Sequence, residues 1–266
     1  SSWKDNSKAV KDGMRKGIML GKKLKVRAEE RNTKFNRLRS GKIDKRMIAN
    51  AGYGAEAIFE KIESFAYNPG IIHISIDNSG SMSGDNFRNA MTTAIAIAKA
   101  CDMIENMDCV ISLRAGSSFG DTRGYGTAVM LVAYDSRKHG MAQIKTCFPM
   151  LCVSGSTPEG LCFDAIMKDI LDASRGKDAY FVNMSDGCPY FEGYYGEGAY
   201  NHTRAQVKKM VREGIKVISY FICSGSPYGR DKESFQKMYG KEAQFIDTSK
   251  IAEVAKTMNS KFLEVA

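Results

Sequence analysis

The chain has 266 residues, of which 43% are hydrophobic and 26% charged, a composition typical of a globular protein with one large domain or one domain plus an appendage. It contains no run of 18 apolar residues and no apolar N-terminal segment, so we expect neither a membrane-spanning helix nor a secretory signal peptide. The formal net charge of +9 belongs to residues 1–65, which carry 17 Lys and Arg against 8 Asp and Glu.

The first part of the chain, residues 1–69, is predicted to be a basic helical N-terminal extension. Apolar residues recur at helical spacing within residues 1–39. Three glycines four residues apart weaken the prediction of one continuous helix: Gly13, Gly17 and Gly21. Residues 43–65 have the apolar spacing of one or two further short helices. A turn at Asn68-Pro69-Gly70 marks the predicted boundary with a domain over residues 70–266.

From residue 70 the pattern alternates between apolar strands and amphipathic helices. The strands are predicted at 71–77, 109–114, 127–134, 179–184, 216–223 and 244–246. The helices are predicted at 85–104, 137–147, 161–171, 204–213, 234–239 and 251–263. The third strand follows a Gly/Ser loop at 116–126 and is predicted to be an antiparallel edge strand. This order indicates an α/β fold with a doubly wound, mostly parallel central sheet and helices on both faces.

The cysteines and histidines indicate the compartment and exclude one class of metal site. Seven cysteines are spread through the chain without a C-x-x-C pair, several of them in apolar runs. We therefore expect reduced, mostly buried thiols and a cytoplasmic protein. The three histidines, His73, His139 and His202, lack the spacing of zinc ligands, and His73 in its strand is expected to be structural.

A cluster of small oxygen-bearing side chains follows the first predicted strand of the domain. Asp77, Ser79 and Ser81 alternate in a turn that Gly80 allows to tighten. Ligands of doubly wound sheets bind at the carboxyl ends of the strands, and hard divalent cations prefer oxygen ligands. The turn is therefore a candidate metal site. The alternative is that these side chains only cap the following helix.

Two further segments favour the metal site over the cap. Thr157 lies in the loop Ser156-Thr157-Pro158-Glu159-Gly160, which opens a predicted helix, and Asp186 follows the strand at 179–184. In a doubly wound sheet these segments meet at one edge. The predicted metal ligands are Asp77, Ser79, Ser81, Thr157 and Asp186.

This constellation resembles the metal-ion-dependent adhesion site (MIDAS) of von Willebrand factor type A (VWA) domains. The family motif D-x-S-G-S is matched from Asp77 to Ser81, the family threonine by Thr157 and the family aspartate by Asp186. The resemblance implies that the hydroxyls bind a cation directly or through water, and that the aspartates bind it largely through water. Such a partly hydrated site suits Mg²⁺, with Mn²⁺ or Ca²⁺ as alternatives, and a carboxylate of a partner protein can complete it.

A narrower resemblance is to the C-terminal domain of the CobT subunit of cobaltochelatase. It is carried by Ile76 to Gly84, by Ser40-Gly41-Lys42-Ile43-Asp44 and by Met184 to Pro189, whereas the long acidic segment of that subunit is absent. Proteins similar to CobT also occur in phages, often beside an AAA+ ATPase. The resemblance implies a partner ATPase of the MoxR/CobS type, with the host cytoplasm as the compartment if the chain is phage-encoded.

Catalysis by this chain alone is not expected. No nucleophile with an adjacent base is recognisable, and no P-loop G-x-x-x-x-G-K-[ST] is present. The chain is interpreted as a metal-dependent interaction (adaptor) protein. The alternative is a non-catalytic subunit of an ATP-dependent chelatase that inserts cobalt or magnesium into a tetrapyrrole.

Three parts of the chain are candidates for partner contacts. The aromatic loop after Asp186 is predicted to touch a partner through Tyr190, Phe191, Tyr194 and Tyr195, with local packing as the alternative. Glu159 is a candidate contact near the metal, with a solvated surface position as the alternative. The basic segment 1–65 is interpreted as docking an acidic protein surface or as a solvated face; nucleic-acid binding is the remaining alternative.

Overall fold

A computed structural model describes residues 2–29, 33–63, 69–117, 126–222, 229–245, 247 and 250–263. The chain divides into two compact units. One unit comprises Ser1–Gly21 and Asn68–Ala266, and the other comprises Lys22–Tyr67. The first 21 residues therefore pack with the part of the chain that carries the candidate site.

The N-terminal elements differ in part from the helical prediction. The helix α1 (Ser2–Glu29) is continuous. It is followed by β1 (Thr33–Leu38), β2 (Lys42–Ile43), the short helix α2 (Ile48–Ala51) and β3 (Phe59–Glu63). The three strands form an antiparallel sheet in the order β1-β3-β2.

The prediction of helix throughout residues 1–39 and 43–65 was therefore wrong for β1 and β3. Phe59 and Ile62 are three residues apart, a spacing that suggests one face of a helix. In the structure Phe59 pairs with Ile43 of β2 and with Leu38 of β1. Backbone pairing on both sides of β3 outweighs the weak local preference of so short a segment.

The larger unit alternates strands and helices. Its strands are β4 (Gly70–Asp77), β5 (Met107–Ser117), β6 (Thr127–Asp135), β7 (Asp178–Ser185), β8 (Tyr190–Phe191), β9 (Tyr194–Tyr195), β10 (Lys216–Phe221) and β11 (Ala243–Gln244). Its helices are α3 (Asp85–Asp102), α4 (Met141–Cys147), α5 (Glu159–Ala173), α6 (Gly196–Arg212), α7 (Gly229–Tyr239) and α8 (Ile251–Leu263).

The central sheet confirms the predicted fold. Six strands are ordered β11-β10-β7-β4-β5-β6. Every neighbouring pair is parallel except β5 and β6, which are antiparallel. All eight residues of β4 are buried, and because successive side chains of a strand point to opposite faces, the sheet is covered on both sides.

The core on one face of the sheet is formed by residues of β7 and β10 that pack against α5, α6 and α7. Phe163 of α5 packs edge-on against Phe181 of β7 at a centroid distance of 5.0 Å. Phe235 of α7 lies 4.5 Å from Tyr239 and 5.2 Å from Phe221 of β10 by the same measure. This aromatic core positions the first turn of α5 under the carboxyl ends of the strands.

Two of the three glycines that weakened the helix prediction, Gly13 and Gly17, lie where α1 contacts α3, and Gly21 lies against Met103 directly after α3. A Cβ atom on Gly17 would lie 2.5 Å from Cβ of Lys99 and 2.8 Å from the carbonyl oxygen of Ala96. A Cβ atom on Gly13 would lie 2.8 Å from Cβ of Ile95. The glycine spacing therefore permits close helix packing, which offsets its cost in helix propensity.

Parts of several predicted elements lie outside the described residues. They are residues 1 and 30–32 of the segment 1–39, residues 64–65 of the segment 43–65, Asn68 of the turn, residues 118–125 of the Gly/Ser loop, and Cys223 and Ile246 at the ends of two strands. Within the described segments, no helix combines the length and the apolar character that crossing a membrane requires.

Candidate metal site

The candidate site lies where β4 and β7 end side by side. The two strands are parallel and in register, with Ile76 opposite Met184, so Asp77 and Ser185 are the last residues of neighbouring strands. The Ser185 hydroxyl donates to Oδ2 of Asp77 at 3.2 Å, and the amide of Ser79 donates to Oδ1 at 2.9 Å. The Asp77 carboxylate is thereby held at the buried base of the site.

A chain of side-chain hydrogen bonds leads from this base toward solvent. The hydroxyls of Ser79 and Ser81 share a hydrogen bond of 2.9 Å. The Ser81 hydroxyl then donates to Oδ1 of Asp186 at 3.1 Å. Ser79 is buried and Ser81 is exposed. Four of the five predicted ligands therefore form one compact cluster with an open outer side.

The fifth predicted ligand, Thr157, lies on a loop that is tied to the same turn through the backbone. The amide of Gly80 donates to the carbonyl of Gly155 at 3.1 Å, and the amide of Ser154 donates to the carbonyl of Asn78 at 2.9 Å. Gly155 has a φ of +90°, which favours glycine. These bonds bring the loop that carries Thr157 to the Asp77–Ser81 turn.

Beneath the cluster lies a buried ion pair that the sequence analysis did not identify. Arg114 of β5 donates to Oε1 of Glu159 at 2.7 Å, and both side chains are 0% exposed. The same guanidinium lies 3.9 Å from Oδ2 of Asp77 and donates to Oγ of Ser75 at 3.0 Å. Asn183 donates to Oε1 of Glu159 at 3.3 Å. A positive charge is therefore fixed below two carboxylates.

The pKa values of two carboxyl groups at the site indicate that its negative charges are not fully compensated by positive charge. Burial, together with the negative charge of Asp77, raises the pKa of Asp186 to about 6. Burial also raises the pKa of Glu159, and the neighbouring Arg114 opposes that shift. A cation bound beside Asp77 and Asp186 would favour their ionised forms.

The donor set fits a hard divalent cation. Among the described residues there is no group of three or more His, Cys, Asp or Glu that could hold a metal. A metal at this site must therefore use hydroxyl oxygens as well as carboxylates, and Mg²⁺, Mn²⁺ and Ca²⁺ accept such ligands. The assignment of the five ligands remains a prediction.

The aromatic loop forms a small hairpin on the same rim. Thr157 and Tyr190 pair through two backbone hydrogen bonds of 2.8 and 3.1 Å. Tyr190 and Tyr195 are 70% and 63% exposed, and their ring centroids are 6.1 Å apart. These two rings form an exposed aromatic surface beside the candidate metal ligands.

The other predicted contact residues are buried or half-buried. Phe191 is buried. The hydroxyl of Tyr194 forms hydrogen bonds of 3.0 Å with both Nδ1 of His202 and Oγ1 of Thr203, so this ring anchors the hairpin to α6. Glu159 pairs with Arg114 inside the protein. The expectation that Glu159 faces a partner or solvent is corrected, because its first-turn position on α5 points it under the sheet edge.

The buried polar residues below the site left a signal in the sequence. Ser75 and Asn183 each interrupt an apolar strand between two large hydrophobic residues, and Arg114 ends another such run. Strands that are buried on both faces are expected to be almost continuously apolar. Polar residues in them predict a shared hydrogen-bonding partner, which in the structure is the Arg114–Glu159 pair. His73 is structural as expected, with Nε2 at 2.8 Å from Oγ of Ser112.

Comparison by sequence finds no matching protein-family model and no matching curated protein. Comparison by structure finds VWA-domain proteins. The pilus adhesin SpaC from Lactobacillus rhamnosus GG matches with a TM-score of 0.51 and 12% identity, over 73% of this chain and 30% of the adhesin. Manganese-loaded TRAP from Plasmodium vivax matches with a TM-score of 0.50 and 11% identity, over 72% of each chain.

These matches define the class of fold. The chain has the mixed α/β fold of VWA domains, with a six-stranded, mostly parallel sheet and one antiparallel edge strand. It spans less than a third of the length of the pilus adhesin.

Proposed function

We propose that the chain is a metal-dependent protein-interaction module that binds a divalent cation at Asp77, Ser79, Ser81, Thr157 and Asp186. The observation that carries the proposal is the hydrogen-bonded chain from buried Asp77 through the two serines to Asp186. The side chains along it carry hydroxyl and carboxylate oxygens, which are the ligand atoms that a hard cation prefers. The outer end of this hydrogen-bonded chain, at Ser81, is exposed to solvent.

In this proposal the function of the site depends on the side of the cluster that is open to solvent. The protein supplies few ligands, and the cation keeps water in the remaining positions. A carboxylate of a partner protein replaces one such water, so that the cation bridges the two chains. Tyr190 and Tyr195 then lie beside the bridge, where exposed aromatic rings contribute contact area at small entropic cost.

We propose Mg²⁺ as the resident cation, with Mn²⁺ or Ca²⁺ as alternatives. Mg²⁺ is commonly held by one or two carboxylates and several waters rather than by a closed protein cage, which suits a site with only two carboxylates. The crystal structure of TRAP, which shares the fold, is of the manganese-loaded protein. Manganese is therefore a suitable probe ion for this site.

We propose an AAA+ ATPase of the MoxR/CobS type as the partner, on the strength of the CobT-like motif from Ile76 to Gly84 and the Met184–Pro189 segment. In this arrangement the ATPase supplies nucleotide hydrolysis, and the chain described here supplies a cation-dependent contact. A carboxylate on the ATPase or on its substrate completes the metal shell.

The proposal is tested first with the metal alone. Titration of Mn²⁺ followed by electron paramagnetic resonance should show one site in the unmodified chain and none in Asp77→Asn. The matched control is Asp85→Asn, which removes an exposed carboxylate eight residues away that pairs with Arg88. Equal Mn²⁺ binding by Asp77→Asn and the unmodified chain would refute the metal site.

The partner is tested separately with a purified AAA+ ATPase of the MoxR/CobS type. Co-purification should require a divalent cation, should be lost with EDTA, and should be lost in Asp77→Asn but retained in Asp85→Asn. If Mn²⁺ binds as expected and no ATPase is retained under either condition, the metal site stands and the ATPase assignment fails.

A further inference from the structure

A second candidate binding surface lies on α6 and the end of α7, outside the metal site. A cavity of about 420 Å³ opens there between the second half of α6 and the turn Gly240–Glu242 that follows α7. Its volume falls within the range of about 300–1,000 Å³ that is usual for ligand-binding clefts. At about 1.5 Å per residue, the α6 residues of this groove lie about 12–24 Å along the helix from its first residue, Gly196, which directly follows the aromatic hairpin.

Cations line both sides of this groove. Arg204, Lys208 and Arg212 follow one another at four-residue intervals along α6, and Lys241 lies opposite. All four side chains are exposed. Among the described residues, the three on α6 form no ion pair, and Lys241 only approaches Glu242 at 3.9 Å. The lining of the groove contains these four cations and one carboxylate, that of Glu242.

The floor of the groove is apolar. Val207 and Val211 lie on the same face of α6 as the cations, because residues three and four apart are neighbours on a helix. Met238 and Tyr239 close the floor from α7 and are buried. Val211 is 41% exposed, so an apolar contact surface is available between the charges.

We propose that this groove binds an acidic peptide segment of a partner protein, with carboxylates paired to Arg204, Lys208 and Arg212 and an apolar side chain on the exposed Val211. The three cations are spread over about 12 Å of helix and do not converge on one point. A stretch of acidic residues can meet such a row, whereas a single phosphate is bound by converging donors.

Two observations favour a peptide over a nucleic acid. The groove offers no exposed aromatic ring for base stacking, since Tyr239 is buried. An apolar floor between cations complements a mixed acidic and apolar segment.

The experiment uses the full chain and a labelled 14-residue helical peptide with Glu at four-residue spacing and Leu at positions between. Fluorescence anisotropy should show binding that weakens between 50 and 500 mM NaCl, and amide shifts should change along residues 204–212. The same peptide with Gln in place of Glu should bind at least about tenfold more weakly, which is the effect of about 1.4 kcal/mol.

The matched variants are Lys208→Glu and Lys145→Glu. Both replace an exposed helical lysine and change the net charge equally. Lys208→Glu should weaken peptide binding by at least tenfold, whereas Lys145→Glu on α4 should change it less than twofold. EDTA should leave the affinity unchanged, which separates this result from failure of the metal site.

The proposal is overturned if Lys208→Glu binds the peptide as the unmodified chain does, or if the amide shifts map elsewhere. It is also overturned if pyrophosphate or a 14-nucleotide DNA displaces the peptide at equal or lower concentration. The first displacement would assign the groove to a small anion and the second to a nucleic acid.

Discussion

The guanidinium of Arg114 and the carboxylate of Glu159 are joined by a 2.7 Å ion pair that is completely buried beneath the predicted metal ligands. Arg114 lies on β5 and Glu159 on the first turn of α5, so the pair connects the sheet to the helix that follows the Thr157 loop. Because the same guanidinium lies 3.9 Å from Asp77, it also reduces the net negative charge at the base of the site.

Breaking this pair is expected to destabilise the fold strongly. Arg114→Met leaves the Glu159 carboxylate buried without its cation, at a cost of about 3–5 kcal/mol in the free energy of unfolding. Urea unfolding followed by far-ultraviolet circular dichroism in EDTA measures the change. The double variant Arg114→Met/Glu159→Gln should be more stable than Arg114→Met, because the Gln amide oxygen can still accept from Asn183.

An exposed ion pair provides the control for that measurement. Lys209 and Asp164 are 3.1 Å apart, and about half of each side chain is exposed. Lys209→Met should cost less than about 1 kcal/mol. Similar losses in Arg114→Met and Lys209→Met would contradict the importance given to the buried pair.

Cation binding is expected to stabilise the protein. A cation that binds only the folded chain adds about 2.7 kcal/mol at a concentration of 100 times Kd, which raises the Tm by about 5–10 °C for a domain of this size. Scanning calorimetry with MgCl₂ and with EDTA measures the shift. Asp77→Asn should show the same Tm in both buffers, and a Tm shift retained in that variant would place the cation elsewhere.

Proton competition is expected to make cation affinity depend on pH. With a pKa of about 6, Asp186 must lose a proton to bind the cation below that pH. Mn²⁺ affinity should therefore fall by about tenfold between pH 7 and pH 5. Calorimetric titration at both values measures it, and an affinity that is constant over this range would contradict the raised pKa.

The stability of the metal-free protein should change with pH in the opposite sense. The pKa of Asp186 is raised above its unfolded value, so between about pH 4 and pH 6 the folded state binds more protons than the unfolded state. In EDTA, the contribution of Asp186 to the free energy of unfolding is therefore largest at low pH and is lost as the pH rises through 6. Subtracting the profile of Asp186→Asn isolates this contribution.

Because α1 packs closely on α3, replacing a contacting glycine of α1 by a larger residue is expected to destabilise the fold. Gly17→Ala places a Cβ atom 2.5 Å from Cβ of Lys99 and should destabilise by about 1–3 kcal/mol. Gly198→Ala in α6 is the control, because no atom lies within 4 Å of its Cβ position. That control should be neutral or stabilising by up to about 1 kcal/mol, and equal effects in both variants, measured by urea unfolding, would exclude the packing explanation.

The fold of the larger unit could be predicted because its strands and helices differ clearly in hydrophobic period. The strand predicted at 71–77 is β4, and the helix predicted from Asp85 is α3. The short strands around Phe59 could not be predicted, since their pairing joins residues that are distant in sequence. The glycines of α1 were misleading because their benefit depends on a neighbouring helix.

The candidate site could be predicted only for residues with a recognisable motif. Asp77, Ser79 and Ser81 are adjacent in sequence, and Asp186 follows a strand in a similar context. Arg114 and Glu159 are separated by 45 residues. The polar residues in the apolar strands indicate a buried hydrogen-bonding partner, but they do not identify Glu159 as that partner. Only the sheet register, with Asp77 opposite Arg114, shows that a cation of the protein itself lies beneath the site.

The backbone hydrogen bonds that tie Gly80 to Gly155, Asn78 to Ser154 and Thr157 to Tyr190 have a practical consequence for engineering. They hold the loops in place without using the exposed rings above them. Tyr190 and Tyr195 can therefore be randomised as a selectable binding surface, and new specificities can be sought on a scaffold whose metal-ligand loops keep their arrangement.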